Sequence, residues 1–111
     1  MTTKYNINHE RCRRLSDTCF QTLLEASTAI SYTVPGDSSV TYRAEFSASS
    51  TADVWVRLND TAAVPTSNTA ATLSYQERID TNSMFFVSGG DVLSFISTGT
   101  PQVGVSLLEI P

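Results

Sequence analysis

The sequence predicts an all-β fold: a single-domain antiparallel β-sandwich or jelly roll of about eight strands, preceded by an N-terminal arm. Three observations carry the prediction. Apolar residues recur with a period of two in one segment after another, as they do when alternate side chains of a strand face a core. Turn-forming residues separate these segments at intervals of roughly 8 to 14 residues, the spacing of sandwiches and barrels. Ser and Thr fill thirty of the 111 positions while charged residues make up only 16%. The polar surface is therefore largely hydroxyl-bearing, and β-branched Thr suits a half-exposed pleated sheet. With 41% apolar residues, a chain of this length can bury one core without metal or disulfide staples. The expected organisation is a basic arm over residues 1–17 and a β-domain over residues 18–111.

Residues 9–25 fit two patterns. Cys12, Leu15, Cys19 and Leu23 fall at helical spacing, with Asn8 placed to cap a helix, whereas Phe20, Thr22 and Leu24 satisfy a period of two. Thr18, Thr22, Ser27 and Thr28 are indifferent helix formers, so an extended arm leading into a first strand at 19–25 is preferred. Residues 29–34 alternate Ile30, Tyr32 and Val34 against Ser31 and Thr33, then stop at the turn Pro35-Gly36-Asp37. Residues 40–59 read as a β-hairpin, with Val40, Tyr42, Ala44, Phe46 and Ala48 on one face and Val54, Val56 and Leu58 on the matching face of the second strand. The expected register sets Ala48 against Val54, Phe46 against Val56 and Ala44 against Leu58. On the other face Ser47 then meets Trp55, Arg43 meets Asn59, and Glu45 meets Arg57, an opposite-charge pair contributing roughly 0.2 to 1 kcal/mol.

Residues 60–71 have no period and contain Pro65, so they form a loop. Residues 72–80 alternate Leu73, Tyr75, Glu77 and Ile79 against polar neighbours. The charge of Glu77 on an otherwise apolar face marks an edge strand. Residues 84–87 and 92–96 read as a second hairpin around Ser88-Gly89-Gly90-Asp91, whose paired glycines supply the positive φ of a tight turn. The unbroken apolar run Met84-Phe85-Phe86-Val87 implies a strand buried on both faces or one bearing a partner. Residues 102–110 close the chain with Val103, Val105 and Leu107 on one face.

The charge is asymmetric. Residues 1–14 hold Lys4, Arg11, Arg13 and Arg14 against Glu10, whereas the remainder holds three cations against ten acids. A basic arm on an acidic body fits docking on an acidic partner, and Lys4, Arg11, Arg13 and Arg14 are its candidate docking residues. An acidic body with core-facing aromatics disfavours nucleic acid as the ligand. No apolar run approaches the ~18 residues of a membrane span and no secretory signal opens the chain, so synthesis in the cytoplasm, reduced Cys12 and Cys19, and no membrane partner are expected. His9, Cys12 and Cys19 are too few ligands to close a structural zinc site. Enzymatic chemistry finds no support: the single histidine is in the arm, no GxSxG elbow exists, and Asp37, Asp53, Asp60, Asp80 and Asp91 fall at turns or loops. No cofactor is expected. An outward Trp55 beside Arg57, Glu45 and Arg43 is the candidate subunit interface, since Trp and Arg are favoured anchors.

The segments TAISYTVPG, YRAEF, ADVWVRLN, VSGGDVLSFI and PQVGVSLLEI, spanning about residues 20–110, resemble small β-sandwich accessory proteins of tailed-phage virions, in particular capsid decoration or cement proteins. The resemblance implies a jelly-roll or related β module without catalytic residues. It implies assembly as a homotrimer or other homo-oligomer on the capsid exterior, bound to the major capsid protein, with residues 1–17 as a clamping arm. The basic, cysteine-containing arm departs from that pattern. The alternative from another class is a carbohydrate-binding or structural module of a tail or fibre receptor-binding apparatus, with Trp55 as the sugar platform.

Overall fold

The structure, a computed structural model, describes residues 17–49, 52–65, 75–79 and 83–110. Eight strands follow one another: β1 (Thr18–Leu23), β2 (Ile30–Thr33), β3 (Thr41–Ala48), β4 (Val54–Leu58), β5 (Gln76–Ile79), β6 (Ser83–Ser88), β7 (Val92–Ser97) and β8 (Gln102–Ile110). They form two four-stranded antiparallel sheets, ordered β1-β8-β3-β6 (sheet A) and β2-β7-β4-β5 (sheet B). The expected all-β sandwich is the observed architecture, and residues 18–23, open between helix and strand in the sequence, are extended.

The pairing is nested. β1 pairs with β8, β2 with β7, β3 with β6 and β4 with β5, as in one long antiparallel ribbon rolled over on itself. The β3·β8 and β4·β7 ladders then join those pairs into the two sheets. Alternation along each strand supplies the core. Tyr42, Ala44 and Phe46 of β3 and Val103, Val105 and Leu107 of β8 face Val54 and Val56 of β4 and Leu93 and Phe95 of β7, and all ten are buried. Aromatic rings bridge the layers at the centre. Phe95 of sheet B lies 6.0 Å, centroid to centroid, from both Phe20 and Phe46 of sheet A, and Phe20 stacks on Tyr32 at 4.5 Å.

Both predicted hairpins are corrected. β3 and β4 lie in different sheets, so the expected register does not form. Phe46 pairs with Ser83 and Val105, and Val56 with Glu77 and Phe95. Likewise β6 belongs to sheet A and β7 to sheet B. The faces predicted for β3 and β4 are nevertheless the observed ones. A period of two fixes which side chains point inward, whether the next strand lies alongside in the same sheet or about 10 Å away in the other.

The crossing at Ser88-Gly89-Gly90-Asp91 interlocks with the turn after β2. Gly89 N–H donates to Val40 O at 2.9 Å, Gly90 N–H to Val34 O at 2.9 Å, and Val34 N–H to Asp91 O at 2.8 Å. The two glycines serve different ends. Gly90 has φ +88°, whereas a Cβ on Gly89 would lie 2.2 Å from Asp37 O and 2.6 Å from Gly36 C. Gly90 is needed for its backbone conformation and Gly89 for close approach of two main chains. Asp91 closes the corner, its carboxylate accepting from Ser88 N–H at 2.8 Å and from the Asn59 side chain at 3.2 Å. Asn59, at φ +59°, accepts from Val92 N–H through its side chain at 2.8 Å and donates its backbone N–H to Val92 O at 2.7 Å. The end of β4 is thereby tied to the start of β7.

The basic arm residues Lys4, Arg11, Arg13 and Arg14 lie outside the described residues, as do His9 and Cys12. Asp17, assigned to the arm by sequence, already extends the β1·β8 ladder. Its N–H donates to Leu107 O at 2.8 Å and its carboxylate accepts from Glu109 N–H at 2.7 Å.

Candidate interaction surface

The four candidate interface residues divide between the two outer faces. Tyr42, Ala44 and Phe46 point into the core, so Arg43 and Glu45 project from the outside of sheet A. Val54 and Val56 point inward, so Trp55 and Arg57 project from the outside of sheet B. The expected Glu45 to Arg57 cross-strand pair therefore cannot form. Arg43 approaches Glu45 on its own strand instead, at 3.6 Å.

On sheet B a loop covers the outer face. Arg57 reaches the Thr61 carbonyl at 3.2 Å and the Asp60 carboxylate at 3.4 Å. Ala62 N–H donates to Ser94 Oγ at 2.9 Å. Gln76 clasps Ala63 from both sides, accepting from its N–H at 3.0 Å and donating to its carbonyl at 2.8 Å. The half-buried Trp55 sits between Ile96 and Arg78, and Arg78 meets Asp53 at 3.4 Å. Arg57 and Gln76 thus hold residues 60–63 against sheet B, a role invisible in a sequence that shows these residues merely as loop.

The outer face of sheet A is different. Arg43 lies between Leu108 and Phe86, and Glu45 between Ser106 and Met84. β6 is the edge of this sheet, and three consecutive residues on it are exposed: Met84 at 55%, Phe85 at 39% and Phe86 at 73%. Burial on both faces, one expectation for residues 84–87, is thereby overturned. Met84 and Phe86 point outward, while Phe85 turns inward and its ring lies 5.8 Å from that of Phe46.

Between β6 and β5, the facing edge of sheet B, the sandwich opens into a groove of about 200 Å³ lined by Phe46, Val56, Leu58, Tyr75, Glu77 and Phe85, among others. Its wall is apolar apart from Glu77, which projects on the inward side of β5 opposite Val56 yet stays exposed. β5 is an edge strand, as the sequence predicted.

Two groups at the turn end of the sandwich are perturbed by their surroundings. The Ser39 hydroxyl, then the Ser39 backbone N–H, hold the Asp37 carboxyl below its ordinary value. Desolvation, then the carboxylates of Glu109 and Asp17, push the Tyr42 phenol above its ordinary value. Among the described residues, no three His, Cys, Asp or Glu side chains group closely enough to hold a metal ion, and no helix is long and apolar enough to cross a membrane. Neither a protein-family pattern, nor a curated protein, nor a solved structure matches the chain.

Proposed function

We propose that this chain is a non-enzymatic structural protein of a tailed-phage virion, a capsid decoration or cement protein that self-associates and binds the major capsid protein lattice from outside. One observation carries the reading. Among the described residues, an aromatic sheet edge beside an apolar groove stands uncovered, with Met84, Phe85, Phe86 and Tyr75 exposed. Apolar edge surface of this kind is suited to burial between protein subunits. The nested pairing of β1 with β8 through β4 with β5 supports the jelly-roll form of the sandwich. Cementing works by mass action: a protein that binds the assembled shell and not its separated subunits shifts the equilibrium toward the shell. In this reading the basic arm, with Lys4, Arg11, Arg13 and Arg14, clamps a neighbouring acidic coat surface, and homo-oligomers present several arms at once.

Quantitative mass spectrometry of purified virions of the encoding phage tests the proposal. The expected result is a copy number commensurate with that of the coat protein, with the chain accessible to protease on intact particles. Virions carrying none, or a handful, would overturn the cement role.

A further inference from the structure

We propose that β6 is a self-pairing edge: two copies of the chain join β6 to β6 antiparallel about a two-fold axis at Phe85, continuing sheet A across the contact. The contact is carried by the edge itself and stands whether or not the chain is a virion component.

The backbone sets the kind of partner. Met84 and Phe86 direct their N–H and C=O groups away from β3, and among the described residues no strand pairs with them there, whereas the outward groups of Ser88 are taken by Asp91. An extended strand is what satisfies such a row. β6 also lacks the usual protection, since Ser83–Ser88 carries no charge and no proline. β5, the edge beside it, carries Glu77 and Arg78.

The side chains set the identity of the partner and the register. Residues directly opposite in an antiparallel pair share a face, and in β6 Phe85 and Val87 face inward while Met84 and Phe86 face outward. A symmetric β6 pair is therefore centred on a residue. Centred on Phe85, it sets Phe85 against Phe85 of the second copy and Met84 against Phe86 in both directions. Every exposed apolar group of the strand then meets another, with Met sulfur against an aromatic ring on the outer face.

Charge favours the same register only weakly, because the charged residues of a row stand three strand spacings, about 14 Å, apart and are largely screened. On the outer face Arg43 lies beside Phe86 and Glu45 beside Met84. With Phe85 at the axis, each row across the four strands begins with one copy's Arg43 and ends with the other's Glu45. Centring on Phe86 would instead align Arg43 with Arg43, and centring on Met84 would align Glu45 with Glu45. Only the Phe85 register combines apolar matching with opposite charges. A second copy of this chain supplies all of these groups in the right order, which is why the occupant is a second copy.

The test uses the full chain in sedimentation velocity from about 1 µM to about 500 µM, a range suited to a contact of this small area. A reversible dimer is expected. Phe86→Lys and Met84→Lys, both at exposed positions, should each weaken association at least about tenfold by placing charge on the edge, while Trp55→Ala on the other sheet leaves it unchanged. Circular dichroism confirms that each variant is folded. In a Cys12→Ser, Cys19→Ser background, Phe85→Cys should cross-link to itself on oxidation and Ser31→Cys on β2 should not. A chain monomeric at every concentration, whether or not another protein binds the edge, overturns the proposal. So does a dimer indifferent to Phe86→Lys and Met84→Lys, or one that cross-links through residue 31 and not residue 85.

Discussion

The end of the sandwich that carries residues 34–40 and 88–91 and the side that carries β5 and β6 are built on opposite plans. At the end, two turns are locked backbone to backbone: Gly89 and Gly90 donate to carbonyls of the facing segment, and Asp91 and Asn59 fix the corner from the side. At the side, the layers part into a groove, and Phe86 stands 73% exposed. Polar groups are satisfied within the chain at the first, whereas apolar surface is left uncovered at the second. The turn end is thus fixed within the chain, and the side is left able to carry binding surface. Substitutions at the two places should separate these roles.

The largest effect is expected from Gly89→Ala. The new Cβ would meet the backbone of Asp37 and Gly36, which no rotamer change can relieve, so one of the turns must move. Overpacking together with the weakened turn hydrogen bonds should lower stability by about 3 kcal/mol or more. In a domain of this size that is a fall in Tm on the order of 10 °C or more. Urea denaturation measures it, and a variant within experimental error of wild type would show that the two turns are not locked.

Asn59→Ala should follow. It removes two side-chain hydrogen bonds and places a non-glycine residue without polar compensation at φ +59°. Together these predict a loss of about 2 kcal/mol. Asn59→Gly should recover part of that loss, because glycine tolerates the backbone but supplies no side-chain partner. If the glycine variant is no better than alanine, the hydrogen bonds and not the backbone dominate at this position.

Asp37→Asn is expected to be milder, and its signature is pH. The folded carboxyl titrates below the ordinary 3.8 because Ser39 donates to it twice. The ionised form is thus favoured by folding, and its contribution is fully present above the unfolded value. It is lost as pH falls through the folded value. Wild type should exceed Asp37→Asn in Tm at neutral pH by less than it exceeds Asn59→Ala, and the gap should close in acid below about pH 3.8. A gap that persists unchanged to the lowest pH would remove the charge from the explanation.

The same contrast explains what could be read from the chain. Inward and outward faces were legible along β3 and β8, because Tyr42, Ala44 and Phe46 or Val103, Val105 and Leu107 are placed by a period of two, a purely local signal. Partner strands were not. Nothing within residues 40–59 distinguishes a hairpin from a crossing between layers, since both need a short polar link and matched apolar faces. The turn at residues 88–91 was legible from its composition. The reason for Gly89, however, is the backbone of residues 36 and 37, distant in sequence. The interface set Arg43, Glu45, Trp55 and Arg57 was drawn from the assumed hairpin and separated with it. Arg57 turns to Asp60 and Thr61, whereas Arg43 and Glu45 flank the exposed β6. The run 84–87 did announce an unusual strand, and the absence of charge on it, beside a charged β5, was the available sign that it is an uncovered edge.

The smallest effect, on the isolated fold, is expected from Phe86→Ser. With the ring mostly in water, its removal should change stability by no more than about 0.5 kcal/mol when the protein is dilute. Concentration should then separate wild type from variant. If copies pair through β6, folding and association are linked, and the wild-type Tm rises with protein concentration by mass action. The Phe86→Ser chain should hold nearly the same Tm across the series, while Asn59→Ala, destabilised at the turn end with its β6 edge intact, should show the wild-type slope from a lower starting point. Equal slopes for wild type and Phe86→Ser would mean that the exposed ring contributes nothing to pairing, and the division of labour between the two regions would fail at its second half.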